Sequence, residues 1–174
     1  MAVETSFQPI TGLTEAIATL KALPDKLRKR ALRNALAAGA RLVRDEAKRK
    51  APVISASDPA VRKGWRKPGT LKKAITVRTS KIARRAGNVG VFVNVRPAKG
   101  AKFKGGKQVK GSQRGAKSPS DPYYWRFVEF GTKRAKERKF LREGAQQLGR
   151  ALDAFKAAMS VALAKINANP KANP

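Results

Sequence analysis

Apolar residues recur every three or four positions over two long stretches of the chain and every second position over a shorter one. Between residues 25 and 50, Leu27, Ala31, Ala35, Ala38 and Leu42 advance by three or four, with Leu32, Leu36, Val43 and Ala47 beside them. This predicts an amphipathic helix. Its other face carries Lys26, Arg28, Lys29, Arg30, Arg33, Arg41, Arg44, Lys48 and Arg49. Ala51-Pro52 ends it, because proline steers the residue before it away from helical backbone angles. Phe140, Leu141, Leu148, Leu152, Phe155, Met159, Leu163 and Ile166 mark a second long helix. Over residues 88–96 the pattern alternates, with Val89, Val91, Val93 and Val95 on one side and Gly90, Phe92 and Asn94 on the other. A period of two predicts a strand. A helical turn at 70–75 leads into a partner strand through Thr79, and residues 84–88, with Gly87, are the expected hairpin turn.

Earlier in the chain, residues 3–10 suit a short extended segment that Pro9 confines to a sheet edge or ends. Leu13, Ala16, Ile17 and Leu20 share a helix face behind Thr11 or Thr14, and Leu23-Pro24 breaks that helix. The expected fold class is α+β, a small antiparallel sheet packed by two long helices, in one domain over residues 1–174. Long basic loops at about 53–68, around Trp65, and 97–119 carry too few large apolar residues to offset the entropy of ordering and are expected to be flexible. Residues 167–174, with two prolines, are an expected disordered tail.

Tyr123-Tyr124-Trp125-Arg126-Phe127-Val128-Glu129-Phe130-Gly131-Thr132 is the aromatic centre of the chain. Asp121 and Pro122 suit the start of a helix in which Tyr124, Phe127 and Val128 share one apolar face. An aromatic strand ending in a Glu-Phe-Gly turn is the other solution. Either way Gly131 supplies the residue without a Cβ at which the segment stops. As part of the core and turn, this segment is expected to be anchored by Phe140.

Charge changes the picture more than length does. Lys and Arg number 40 against 11 Asp and Glu, a formal net charge of +29, and residues 59–120 contain no acid at all. Such a field favours nucleic acid, acidic protein surfaces or anionic lipid, or clothes the surface with solvated tails. With no Cys and no His, thiol chemistry, the usual general base and most transition-metal sites drop out, and neither catalysis nor a cofactor is expected. Glu129 alone lacks a second titratable partner at fixed spacing, so an ion pair or a hydrogen bond to backbone, holding the Gly131-Thr132 turn, is the expected role. Gly105-Gly106-Lys107 lacks the order of a phosphate loop. Lys99, Lys102, Lys104, Lys107, Lys110, Arg114 and Lys117, with Trp65, Arg66 and Lys67 in the earlier loop, are the expected contacts to neighbours or to a polyanion. Tyr123, Tyr124 and Trp125 suit either a core or interface cluster or base stacking. No apolar run reaches membrane-spanning length and the first ten residues lack a signal-peptide pattern, so a soluble intracellular product and no membrane partner are expected.

The order of these pieces resembles one family. Gly12-Leu13, the Leu23-Pro24 break, the Ala-rich helix ending at Ala51-Pro52, Gly-Thr-Leu-Lys-Lys-Ala-Ile at 69–75, the strand, then Tyr124 to Thr132 and Phe140-Leu141 are similar to the tail-component family of tailed bacteriophages, small neck proteins of head-tail joining or tail-completion type. The resemblance runs from about 12 to 166, and Val128-Glu129-Phe130-Gly131-Thr132 followed by Phe140-Leu141 is its most specific part. It departs at Lys139, where the family commonly has proline, at Arg142-Glu143-Gly144, and in the longer basic loop at 97–119. The resemblance implies a structural virion protein without enzymatic activity. It further implies a six-fold or twelve-fold homo-oligomeric ring at the head-tail junction, meeting the head connector or stopper and the tail-terminator or tail-tube proteins. Contact with packaged DNA is compatible with the charge, and a non-specific nucleic-acid-binding protein is the alternative.

Overall fold

The computed structural model describes residues 24–96 and 118–168, together with Lys21, Gly115 and the backbone pairing of 103–104 with 107–108. Helix α1, Asp25–Lys50, is the spine of these residues. Its ends carry the charges its dipole favours, Asp25 in the first turn and Lys48, Arg49 and Lys50 in the last. Hydrogen bonds from Lys29 and then Arg28 hold the Asp25 carboxyl below its usual range. Arg44 and Arg49 do the same for Asp45 and Glu46. The inward stripe is Ala31, Ala35, Gly39 and Ala47, so Leu42, expected on that face, stands 40 % exposed.

After α1, Asp58 caps a short helix α2, Pro59–Arg62, accepting from the Ala60 amide at 2.8 Å. The 53–68 stretch, read from sequence as a loop, therefore contains a capped helical turn. Helix α3, Thr70–Ala74, delivers Leu71 and Thr70 to the interior and runs into strand β1, Ile75–Thr79. β1 pairs antiparallel with β2, Val91–Val95, in the register Ile75 to Val95 and Thr79 to Val91. The expected turn at 84–88 is present at Ala86-Gly87, with Gly87 at φ +77°, but the connection is longer than a tight hairpin because the turn is preceded by a helix, α4, Lys81–Arg85. Ser80 caps it by accepting from the Ala83 amide at 3.1 Å while its own N–H closes on the Gly90 carbonyl at 2.8 Å. β2 consequently begins three residues later than the alternation suggests. A separate two-stranded ribbon joins β3, Phe103–Lys104, to β4, Lys107–Gln108. The expected strand at 3–10 and helix at 11–20 lie outside the described residues.

The aromatic segment is helical: α5 spans Trp125–Phe130. The expected single C-terminal helix is divided into α6, Phe140–Ala145, and α7, Leu148–Ala168, at Gln146-Gln147. The division lets α6 and α7 lie separately against α1. At Gly144 an added Cβ would stand 2.8 Å from the Ala47 Cβ and 2.9 Å from the Val43 carbonyl oxygen, and at Gly39 it would run into the Ala151 carbonyl. Two buried clusters result. Near the end of α1, Ala47, Ala51, Leu71, Ile75, Val95 and Phe140 close together, with Tyr124, Trp125, Val128 and Leu141 against them. Near its start, Ala31, Ala35 and Met159 pack with Phe155, Leu163 and Ile166. The architecture is α+β, a two-stranded sheet with the long helices α1 and α7 and short helices around it.

Candidate interaction surface

Two segments distant in sequence meet beside the core. Trp65 and Arg66 fold back so that both amides bond the Ala60 carbonyl, at 2.9 and 3.1 Å, and the Lys67 amide then reaches Pro119 at 3.3 Å. Thr70 locks the turn by donating its hydroxyl to the Lys67 carbonyl at 2.8 Å. These bonds set the Arg66 guanidinium over Tyr123 at 4.8 Å and Tyr124 at 5.2 Å from the ring centroids, with a hydrogen bond to the Tyr123 hydroxyl. The two rings meet edge to face at 5.7 Å. Lys63 lies 5.0 Å over Trp65, which is 61 % exposed. Exposed cation–π contacts contribute about 0.5–1 kcal/mol each, so this is a positioning device more than a source of stability. Burial pushes the Tyr124 phenol above its ordinary value, and the Arg66 charge opposes that rise.

Glu129 makes the expected hydrogen bonds to backbone, but at the start of α6 and not at the Gly131-Thr132 turn. Its two oxygens accept the amides of Leu141 at 2.9 Å and Arg142 at 3.1 Å, the open N–H groups at the start of α6. Glu129 is 5 % exposed. The Gly131-Thr132 turn, which Glu129 was expected to hold, is closed by Thr132: its N–H donates to Ala135 at 2.8 Å and its hydroxyl accepts from Ala135 at 3.0 Å. Gly131 sits at φ +74°, ψ −179°, conformational space that glycine alone occupies readily. A Cβ added there would stand 3.0 Å from the Glu137 amide nitrogen.

Asp121 does not cap α5. It accepts the Gly115 amide at 2.7 Å, and α5 begins after Tyr124. The turn at Ser118, whose amide reaches Gly115 at 3.1 Å, draws Asp121 toward that residue and away from the helix. Within α5 the expected single apolar face divides. Tyr124 and Val128 join the core while Phe127 is 57 % and Phe130 68 % exposed, because a six-residue helix lying on one cluster has only one inward side. Phe127 and Phe130 are therefore corrected from core residues to surface ones. Phe140 is fully buried and Leu141 packs beside it. Lys104 and Lys107 are backbone partners in the register of the β3–β4 ribbon. Lys99, Lys102, Lys110, Arg114 and Lys117 lie outside the described residues.

Two grooves flank the sheet, and neither follows from local spacing. Along the outer side of β1 runs a basic groove of about 490 Å³, with Arg33, Arg41, Arg44 and Lys48 of α1 on one wall and Arg78 on the other. Along β2 a second groove of about 620 Å³ is apolar, walled by Leu36, Val43, Phe92, Leu148, Leu152 and Phe155. The helical spacing of the α1 cations was visible in sequence. That β1 lies beside them was not. Among the described residues no cluster of three or more acidic, Cys or His side chains could hold a metal, and no helix is long and apolar enough to cross a membrane.

One family model matches, over residues 14–131, and its description is "Bacteriophage HK97-gp10, putative tail-component". The match takes in α1, the β1–β2 sheet and α5 and ends at Gly131, so α6 and α7 fall beyond it, a shorter span than the resemblance to residue 166 suggested. No curated protein and no solved structure matches the chain.

Proposed function

Because the chain belongs to the HK97-gp10-like family of bacteriophage tail components, we propose that it is a neck protein: a ring of copies that completes the tail and joins it to the head connector. The family match over the sheet and α1 carries this reading. Surface chemistry supports it. A closed ring needs two different faces on each subunit that fit one another, and this subunit exposes apolar side chains in separate places, Phe127 and Phe130 on α5 and Phe92, Leu148 and Leu152 around the apolar groove. Its role is mechanical and not catalytic: the chain has no His or Cys, and the buried Glu129 has both oxygens engaged by backbone amides.

Removing the gene should leave full heads and finished tails unattached, and mass measurement of the purified protein together with images of the junction should give the ring. Normal joining of heads to tails in its absence ends this reading. The +29 charge favours a second one, non-specific binding of nucleic acid. That reading requires tight binding to duplex DNA with a steep inverse dependence on salt. Weak binding at physiological salt beside ring-sized particles decides for the neck.

A further inference from the structure

We propose that the basic groove beside β1 receives an extended, acidic segment of another protein, which adds to the sheet as a strand. The source of that segment, a neighbouring protein of the particle, rests on the neck reading; the recognition itself rests on geometry. The ladder fixes which backbone groups of β1 are already used. Arg96 donates to Ala74 and Ser80 donates to Gly90, each at 2.8 Å, so the residues that exchange hydrogen bonds with β2 are Thr76 and Arg78, opposite Asn94 and Phe92. Val77 and Thr79 turn their N–H and C=O groups the other way, toward the groove, and among the described residues no strand pairs with that edge.

The opposite wall matches this edge in length and charge. Arg33, Arg41, Arg44 and Lys48 fall at helical spacing along α1 over roughly 22 Å, and the five residues of β1 extend over roughly 17 Å. An extended segment of about five residues fits between them. Its main chain meets Val77 and Thr79, and its side chains on one face meet guanidinium and ammonium groups. Arg44 is held by Asp45 at 2.8 and 2.9 Å, whereas Arg33, Arg41, Lys48 and Arg78 form no ion pair among the described residues. No two acids in this chain stand two positions apart, the spacing that would put both on one face of a strand. A second copy therefore offers no acidic strand, and a different, acidic chain is the fitting occupant. Nucleic acid would answer the charge but has no use for a strand edge.

The probe is a fluorescent, acetylated peptide of alternating Val and Glu, added to the full-length protein. Two versions N-methylated at alternate residues, one in each register, keep its charge and block one hydrogen-bonding edge at a time. Binding should saturate at one peptide per chain, and one N-methylated version should bind about tenfold more weakly while the other does not. Exchange of the Val77 and Thr79 amides should slow on binding. Arg41→Gln with Arg78→Gln should weaken the parent peptide by about tenfold.

Equal binding by all three peptides overturns the proposal, leaving charge alone as the attraction. So does slow exchange at Val77 and Thr79 before any peptide is added, since a segment of this chain would then hold the edge. Equal protection of those amides by a DNA duplex overturns it in favour of a polyanion site. None of these outcomes touches the neck reading, which is judged from particles lacking the gene.

Discussion

Glu129 Oε2 accepts the Leu141 amide at 2.9 Å, joining the end of α5 to the start of α6 across twelve positions of chain. A helix normally finds its cap in the residue just before it. Here that residue is Lys139, which has no side-chain acceptor and stands in the left-handed region at φ 40°. The buried carboxylate from another helix takes over the duty, and the loop between them is fixed at both ends.

Glu129→Ala should therefore cost about 1–3 kcal/mol in thermal or denaturant unfolding, the penalty for leaving buried amides without acceptors. Glu129→Gln keeps one acceptor oxygen and should cost less. Equal losses for the two substitutions would show that the side chain's bulk, and not its oxygens, matters at this position.

Lys139 makes a second, opposite prediction. A non-glycine residue in the left-handed region costs about 1–2 kcal/mol, so Lys139→Gly should leave stability unchanged or raise it by up to about 1 kcal/mol. The exposed Lys139–Glu137 contact at 2.5 Å, which it removes, contributes little. Lys139→Pro should destabilise by about 3 kcal/mol, because proline cannot reach φ 40°.

Phe140 and Phe130 should separate stability from assembly. Phe140→Ala empties a fully buried site and should cost about 3–5 kcal/mol. Phe130→Ala removes an exposed ring and should stay within about 0.5 kcal/mol of the parent. Under the neck reading it nonetheless reduces ring formation, as sedimentation of the purified protein would show. An unchanged ring would remove α5 from the subunit interface.

Gly39→Ala and Gly144→Ala set helix propensity against packing. Alanine gains up to about 1 kcal/mol in a helix. Overpacking against the Ala151 and Val43 carbonyls costs about 1–3 kcal/mol, and neither backbone atom can rotate away. Both substitutions should be net destabilising in urea titrations.

Tyr124 supplies the pH dependence. Its folded pKa is raised above the unfolded value, first by burial. Its contribution to stability is thus complete below the unfolded value of about 10 and is lost as pH rises through the folded one. Ultraviolet titration should show a tyrosine ionising above the ordinary range. Arg66→Gln should move it further up, since the guanidinium favours tyrosinate. A downward move would mean that Arg66 acts through packing.

Much of this was legible beforehand, and what was not has a common cause. The α1 stripe, the Val91–Val95 alternation and the stop at Gly131 were readable because each is a local property, a period of 3.6, a period of 2 or a single permissive residue. Spacing also placed Tyr124, the residue before α5, and Val128 on one face of the aromatic segment. It could not say how wide the partner cluster was, and so put Phe127 inside.

The sequence alone determined the helical and extended segments, the basic field and the poverty of catalytic groups, since residue type and near-neighbour spacing settle these. Tertiary structure decided which acid caps α6, where the last helix divides, and that the cations of α1 lie across a groove from β1. Those relations join residues far apart in the chain. Their geometry is fixed only when loop closure and burial of Phe140, Ile75 and Met159 choose one arrangement of α1 against everything else.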